Sequence, residues 1–110
     1  MAMTLTLALK PDRAEAVVTG EIDGKTAPEI QARLLGLVES HSRLLLDMKA
    51  VTFLSSAGLR MLLLLYRQFA AKSGKVFLLG VTEEIRDTMS MTGFSNFFTF
   101  VETPDDVDRS

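Results

Sequence analysis

Two adjacent serines, Ser55 and Ser56, are the residues best placed to do chemistry in this 110-residue chain. They follow Phe53–Leu54 and precede Ala57–Gly58 and a leucine-rich segment with helical spacing, so the pattern places them at the start of a long helix. The first amide N–H groups of a helix have no partner within the helix, and the helix dipole favours negative charge there. A serine at this position is either an N-cap or a site that can carry a phosphate. The sequence leaves both interpretations open.

Two neighbouring features add to this site. Gly58 in the first turn lowers helix propensity by about 1 kcal/mol relative to alanine. A glycine at this cost is expected where some group must approach the backbone closely. Asp23 follows the predicted strand Ala14–Ile22 and begins a loop that continues as Gly24-Lys25. If the two loops are neighbours, its carboxylate could orient a serine hydroxyl or a partner's metal-bound nucleotide; alternatively, it closes a turn through its own backbone.

Composition excludes several other kinds of site. The chain has no cysteine, which excludes disulfides and thiolate metal sites and fits a reducing compartment. Its one histidine, His41, lies in a polar turn, and we expect it neither to catalyse nor to bind metal. A net charge of −2 with scattered basic residues gives no footprint for nucleic acid. Neither a G-x-S-x-G motif nor a phosphate-binding G-x-x-x-x-G-K motif is present, so we expect no enzymatic activity and no cofactor.

Hydropathy predicts a protein that does not enter the membrane. No apolar run reaches the roughly 18 residues that are needed to span a bilayer, and the N-terminal residues lack the pattern of a signal peptide. We therefore expect a cytoplasmic protein, present as a monomer or weak homodimer.

Periodicity predicts an α/β domain over residues 1–110. Leu5, Leu7 and Leu9 alternate as in a strand, and Thr26-Ala27-Pro28-Glu29 has the form of a capping box. The predicted elements are strands over Leu5–Leu9, Ala14–Ile22, Leu44–Met48, Val76–Val81 and Phe97–Val101, and helices after Thr26, over Ser56–Lys72, between Thr82 and Gly93 and after Thr103. This order predicts a mixed sheet of four to five strands, with an N-terminal antiparallel hairpin, a parallel remainder and three to four helices packed on it.

The long helix has two apolar stripes. The core stripe is Leu59, Leu62, Leu63, Tyr66, Phe69 and Ala70, and Gly74 is expected to end the helix as a left-handed cap. The second stripe is Met61, Leu64 and Leu65, which Met89 and Met91 could extend. It is either buried against another helix or exposed as a surface for a partner protein.

Asp47 offers a different chemistry. Leu44–Met48 is similar to the phosphoaccepting strand of a response-regulator receiver domain, with Asp47 at its carboxyl end. A receiver also needs an acidic pair after its first strand to hold magnesium, and Ala8-Leu9-Lys10 supplies none. The favoured interpretation is therefore that Asp47 caps the following loop.

Three stretches together resemble the STAS domain family, and within it the single-domain bacterial anti-sigma factor antagonists. They are Gly20-Glu21-Ile22-Asp23 with Thr26-Ala27, Leu45-Leu46-Asp47 with Val51-Thr52-Phe53, and Ser55-Ser56-Ala57-Gly58-Leu59. Their order and spacing fit the family over nearly the whole chain. One residue departs from the pattern: the aspartate that often precedes the phosphorylated serine is replaced by Ser55.

The resemblance implies a phosphorylation switch. The unmodified protein would bind an anti-sigma factor that is also a serine kinase, freeing the sigma factor, and the phosphorylated form would release it until a serine phosphatase removes the phosphate. By position, Ser56 is the implied phosphoacceptor and Ser55 a second candidate. The implied partner-binding residues are Asp23, Gly24, Lys25, Thr26, Phe53, Leu54, Ser55, Ser56, Ala57, Gly58, Arg60, Met61 and Leu64. Two alternatives remain: a STAS subunit of a lipid-trafficking ABC transporter assembly, and a receiver-like domain phosphorylated on Asp47.

Overall fold

A computed structural model describes residues 3–109 and shows one five-stranded sheet with helices against it. The strands are β1 (Thr4–Leu9), β2 (Ala14–Ile22), β3 (Arg43–Leu54), β4 (Lys75–Leu79) and β5 (Thr99–Val101). The α-helices are α1 (Ala27–Leu35), α2 (Ser56–Ala71) and α3 (Glu83–Met91), and 3-10 helices cover Phe94–Phe97 and Pro104–Arg109.

The sheet follows chain order, β1-β2-β3-β4-β5. The hairpin of β1 and β2 is antiparallel, and its turn is closed by a hydrogen bond from the Lys10 N–H to the Arg13 carbonyl at 2.9 Å. The pairs β2–β3, β3–β4 and β4–β5 are parallel, because a helical segment separates each pair of strands along the chain. The predicted mixed sheet with an N-terminal hairpin is confirmed.

The central strand β3 is covered on both faces. Leu44 and Leu46 lie in the main core with residues of α1, α2 and α3, whereas Leu45 belongs to a smaller cluster on the opposite face, which Val107 of the last 3-10 helix covers. Alternate side chains of a strand point to opposite faces, so an unbroken leucine run requires this double cover.

The prediction that β3 ends at Met48 is wrong, because the strand continues to Leu54. Beyond Asp47 it pairs with β2 alone, since its pairing with β4 ends at Leu79. The exposed Lys49, Ala50, Thr52 and Phe53 therefore interrupt the apolar pattern, although the backbone ladder persists.

Helix α2 buries both of its stripes in part. Leu59, Leu62 and Phe69 of the core stripe are buried as predicted, but Ala70 is exposed. Met61 and Leu65 of the second stripe are buried as well, because α1 packs against this side of α2. Met89 is buried, whereas Met91 is 88 % exposed and does not extend any packed surface.

One predicted helix end differs from the structure. Ser73, and not Gly74, has the left-handed backbone after α2. A glycine is nevertheless required at position 74, because a Cβ there would lie 2.5 Å from the Ser42 carbonyl oxygen. Thr82 caps α3 as predicted, with its hydroxyl accepting from the Ile85 N–H at 3.3 Å, and Gly93 has positive φ at the other end.

Candidate functional site

The candidate site forms where β2 and β3 end at the same edge of the sheet. Ile22 is paired with Leu54, the last residue of β3. One residue later, the Ser55 N–H donates to the Ile22 carbonyl oxygen at 2.9 Å. The loop that begins at Asp23 therefore lies beside the start of α2, so the two loops are neighbours, which the sequence had left as a condition.

The two serines have different structural roles. Ser55 is the N-cap of α2: its backbone is extended, and its hydroxyl oxygen accepts a hydrogen bond from the Gly58 N–H at 3.1 Å. Ser56 is the first residue of the helix and is exposed. Its hydroxyl forms no hydrogen bond with any residue in 3–109. The cap interpretation thus applies to Ser55 and leaves the Ser56 hydroxyl available to other molecules.

Gly58 allows a close internal contact. A Cβ at this position would lie 2.6 Å from Leu54 Cδ1 and 2.8 Å from the Ile22 carbonyl oxygen. The expected close approach to the glycine backbone is therefore made by the ends of β2 and β3 of the same chain. The glycine lets α2 begin directly against the sheet.

Asp23 organises the loop between β2 and α1. Its Oδ1 atom accepts hydrogen bonds from the N–H groups of Lys25 at 2.9 Å and Thr26 at 3.1 Å. The backbone N–H of Thr26, followed by that of Lys25, lowers the pKa of the Asp23 carboxyl, because both bonds favour the charged form. Of the two interpretations of Asp23, the structure supports the turn-closing one, and no hydrogen bond joins its carboxylate to either serine within residues 3–109.

Thr26 does not form the predicted capping box. It is the N-cap of α1 by position, but its side chain makes no capping hydrogen bond. Instead, its hydroxyl accepts from the Asp23 N–H at 2.9 Å and donates to the Glu21 carbonyl at 2.8 Å. Thr26 thus braces the loop, and Gly24 and Lys25 at its tip are exposed.

The predicted contact residues divide by burial. Phe53, Ser56, Arg60, Gly24 and Lys25 are exposed, with Phe53 50 % exposed. Asp23, Thr26, Ser55, Ala57 and Leu64 are half-buried. Leu54, Gly58 and Met61 are buried: Leu54 and Gly58 pack the site, whereas Met61 also lines a groove beside it.

A groove between α1 and α2 adjoins the site and was not predicted. Its volume is about 350 Å³, and its lining includes Gly24, Ala57, Arg60, Met61 and Leu64 of the predicted set. The residues that sequence reasoning missed are Ala27, Pro28, Gln31, Leu63 and Arg67. Arg67 was detectable in principle, since it follows Arg60 by seven residues and therefore shares its helix face.

Asp47 lies within β3 and not at its carboxyl end, so the receiver comparison fails on geometry. The register with β2 shifts between Val17 and Thr19, and Asp47 Oδ1 accepts from the Lys49 N–H at 3.0 Å at that irregularity. The expected loop cap is thus a cap within the strand.

No cluster of three or more metal-ligating side chains exists in residues 3–109. The imidazole of His41 contacts Ser40 Oγ and the Lys10 carbonyl oxygen.

Sequence reasoning also missed a buried arginine that forms two ion pairs. Arg13 is 8 % exposed, and its Nε donates to Glu15 at 2.7 Å while its Nη1 reaches Asp108 at 3.3 Å. The Arg13–Asp108 pair lies at the last 3-10 helix, away from the serines, and it fixes that helix against the sheet.

Among residues 3–109, none of the helices has both the length and the apolar character to cross a membrane.

The sequence of this chain is similar to a known family and to known proteins. A family described as "STAS domain" matches residues 15–107. BtrV of Bordetella bronchiseptica, named as an anti-sigma factor antagonist, is 28 % identical over 97 residues, which cover 87 % of this chain and 84 % of BtrV.

Solved structures show the same fold. An anti-sigma factor antagonist from Mycobacterium paratuberculosis has a TM-score of 0.84 and 28 % identity, covering 98 % of this chain and 92 % of that one. The Bacillus cell-fate determinant SpoIIAA, in its phosphorylated form, has a TM-score of 0.77 and 17 % identity, covering 96 % of this chain and 98 % of that one.

Proposed function

This chain belongs to the STAS domain family, and on that premise we propose that it is an anti-sigma factor antagonist switched by phosphorylation of Ser56. One observation carries the proposal: Ser56 is exposed at the first turn of α2 and its hydroxyl has no hydrogen-bond partner within residues 3–109, while Ser55 supplies the helix cap. The Ser55 hydroxyl thus caps the helix, and the Ser56 hydroxyl is the proposed site of modification.

The proposed partner is an anti-sigma factor that also acts as a serine kinase. In its unmodified form the chain binds this partner and releases the sigma factor; a serine phosphatase restores that form after phosphorylation. BtrV is named as an anti-sigma factor antagonist, and SpoIIAA is known in a phosphorylated form, which supports a switch on this fold. The chain acts as a binding protein and not as an enzyme.

The free protein has a place for the phosphate. The N-terminus of α2 presents positive dipole charge and unpaired N–H groups toward Ser56, and a phosphate carries about −1.5 to −2 charges at pH 7. Because the Ser56 hydroxyl forms no hydrogen bond within the described chain, its modification breaks no contact of the fold. The helix can therefore accept the phosphate while the sheet and its core stay unchanged.

In the complex the same phosphate is unfavourable. The proposed contact surface surrounds Ser56 with the exposed Phe53 and the exposed loop residues Gly24 and Lys25, next to the charged Asp23. A doubly charged group inside such an interface would lose its water and lie near a fixed carboxylate. Phosphorylation therefore weakens docking without altering the fold.

Mass spectrometry of the protein after incubation with the cognate kinase and ATP tests the assignment. We expect a single phosphate on Ser56 in the wild-type protein and in Ser55→Ala, and none in Ser56→Ala. Ser55→Ala serves as the matched control, since it removes the neighbouring hydroxyl. A phosphate on Ser55 in the wild-type protein, or on any residue outside the pair, would contradict the proposal.

A further inference from the structure

We propose that the groove between α1 and α2 binds an acidic amphipathic helix of the partner protein. The groove adjoins Ser56, because Ala57 and Arg60 both line it. This inference deepens the proposed function and rests on it for the identity of the partner. The serine motif by itself does not predict this groove.

The groove can accept apolar side chains. It has a volume of about 350 Å³, and Ala27 and Pro28 of α1 face Met61, Leu63 and Leu64 of α2 across it. Leu63 and Leu64 are only half-buried, so apolar surface in the groove remains in contact with water. A groove between two helices with apolar lining is the kind of site that takes the apolar face of a third helix.

The charge of the groove selects an acidic partner. Arg60 and Arg67 line it, and none of the ten lining residues is an aspartate or a glutamate. Neither arginine forms a salt bridge with any residue in 3–109, whereas Arg13, Arg43 and Arg86 are all paired with carboxylates. Two unpaired cations beside apolar surface, in a chain whose net charge is −2, are complementary to carboxylates supplied by another molecule.

The spacing of the two arginines fits a helical segment. They are seven residues apart on one face of α2, which corresponds to about 10 Å along the helix axis. Carboxylates two turns apart on a partner helix would match this distance, with apolar side chains between them entering the groove.

A second copy of the chain is not the proposed occupant. The chain has two acidic segments, the start of α3 and the last 3-10 helix, but the apolar residues beside their carboxylates are already buried. Ile85, Met89 and Val107 all lie in the chain's own core clusters. A copy could offer these segments to the groove only by unfolding part of itself.

Phosphorylation of Ser56 would compete with such a partner. Arg60 follows Ser56 by four residues, so the two side chains lie on the same face of α2, one turn apart. A phosphate on Ser56 can therefore take Arg60 as its counter-ion, which removes one of the two cations from the partner helix.

Peptide titration followed by amide NMR of the whole chain tests the groove. Two helical peptides of about 15 residues carry the same leucine stripe and differ only in having glutamate or lysine at the flanking positions. We expect the glutamate peptide to shift the amides of Gln31 and Leu64 and to bind about tenfold more tightly than the lysine peptide. The double variant Arg60→Gln/Arg67→Gln should lose this preference, and Lys72→Gln/Lys75→Gln, which removes the same charge outside the groove, should keep it.

Three outcomes would overturn the inference. They are equal affinity for the two peptides, no shift in the groove at about 1 mM peptide, and groove shifts that depend on protein concentration alone, which would make a second copy the occupant. The test uses no kinase, so its failure leaves the assignment of Ser56 intact. Conversely, a Ser56 that the kinase does not modify leaves the peptide result to stand by itself.

Discussion

The backbone N–H of Ser55 donates to the carbonyl oxygen of Ile22 at 2.9 Å, which joins the end of β2 to the start of α2. This bond brings the Asp23 loop beside the serine pair, and it depends on no side-chain hydroxyl. A phosphate added to Ser56 therefore leaves the joint between the two elements in place. The proposed modification of Ser56 would therefore add charge to the site without removing this backbone contact.

The two serines should differ in their contribution to stability. Ser55→Ala removes the oxygen that accepts the Gly58 N–H, and the loss of an N-cap costs about 1 kcal/mol in the free energy of unfolding. Ser56→Ala removes a hydroxyl without a partner in residues 3–109 and should change it by less than about 0.5 kcal/mol. Urea denaturation of both variants provides the comparison. A larger loss for Ser56→Ala than for Ser55→Ala would show that the roles are reversed.

Gly58→Ala should destabilise the protein although alanine favours helix. The new Cβ would lie 2.8 Å from the Ile22 carbonyl oxygen, so the start of α2 must move away from the sheet. We expect a loss of about 1–3 kcal/mol, the range for overpacked sites. Gly24→Ala is the control, because nothing lies within 4 Å of a Cβ at that position. Equal thermal midpoints for the two variants would contradict the packing argument.

Glu15 should make stability depend on acidic pH. Burial alone would raise the pKa of its carboxyl, but the hydrogen bonds from Arg13 and Lys10 outweigh burial and lower the pKa below the ordinary 4.5. A lowered pKa in the folded state stabilises the fold above pH 4.5, and this contribution is lost as the pH falls through the folded-state pKa.

Glu15→Gln should therefore reduce the free energy of unfolding at pH 7 by about 1–3 kcal/mol, with the gap to wild type narrowing below pH 4.5. Glu102→Gln is a suitable control, since that side chain is 82 % exposed and its carboxylate is 4.0 Å from Arg86. Chemical denaturation across this pH range gives both curves. A gap that stays constant with pH would indicate that the Glu15 charge does not matter.

Arg60 should act on the phosphate of modified Ser56. Because the two residues lie one turn apart on α2, the guanidinium favours the doubly charged phosphate and lowers its second pKa relative to free phosphoserine. In ³¹P NMR titrations of protein carrying phosphoserine at position 56, Arg60→Gln should raise this pKa. Arg67→Gln, two turns further along, should leave it unchanged. Identical titration curves for wild type and Arg60→Gln would exclude the pair.

The sequence predicted the order of the strands and helices because each element has a strong local signal in its own residues. Alternation identified β1, helical spacing identified α2, and the run Leu44–Met48 identified the first part of β3. Thr82 and Gly93 marked the ends of α3 by their ordinary capping chemistry.

The errors arose where tertiary contacts decide the conformation. The length of β3 depends on its pairing with β2 beyond Asp47, and the exposed side chains there conceal it. Glycine at position 74 is required by the nearby Ser42 carbonyl and not by its own backbone angle. For the site, the motif indicated the serine pair, but the assignment of the cap to Ser55 needed the Gly58 hydrogen bond. The groove lined by Arg60 and Arg67 could not be predicted from the sequence, because it forms only when α1 packs on α2.

The central claim is that a phosphate on Ser56 changes docking and not folding. Its most direct test is isothermal titration calorimetry of the cognate anti-sigma factor kinase with the unmodified protein and with the protein phosphorylated on Ser56, each also followed by circular dichroism and thermal melting. We predict affinity at least about tenfold weaker for the phosphorylated form, with an unchanged spectrum and melting temperature. Equal affinity of the two forms, or weaker binding that accompanies a loss of fold, would contradict the account.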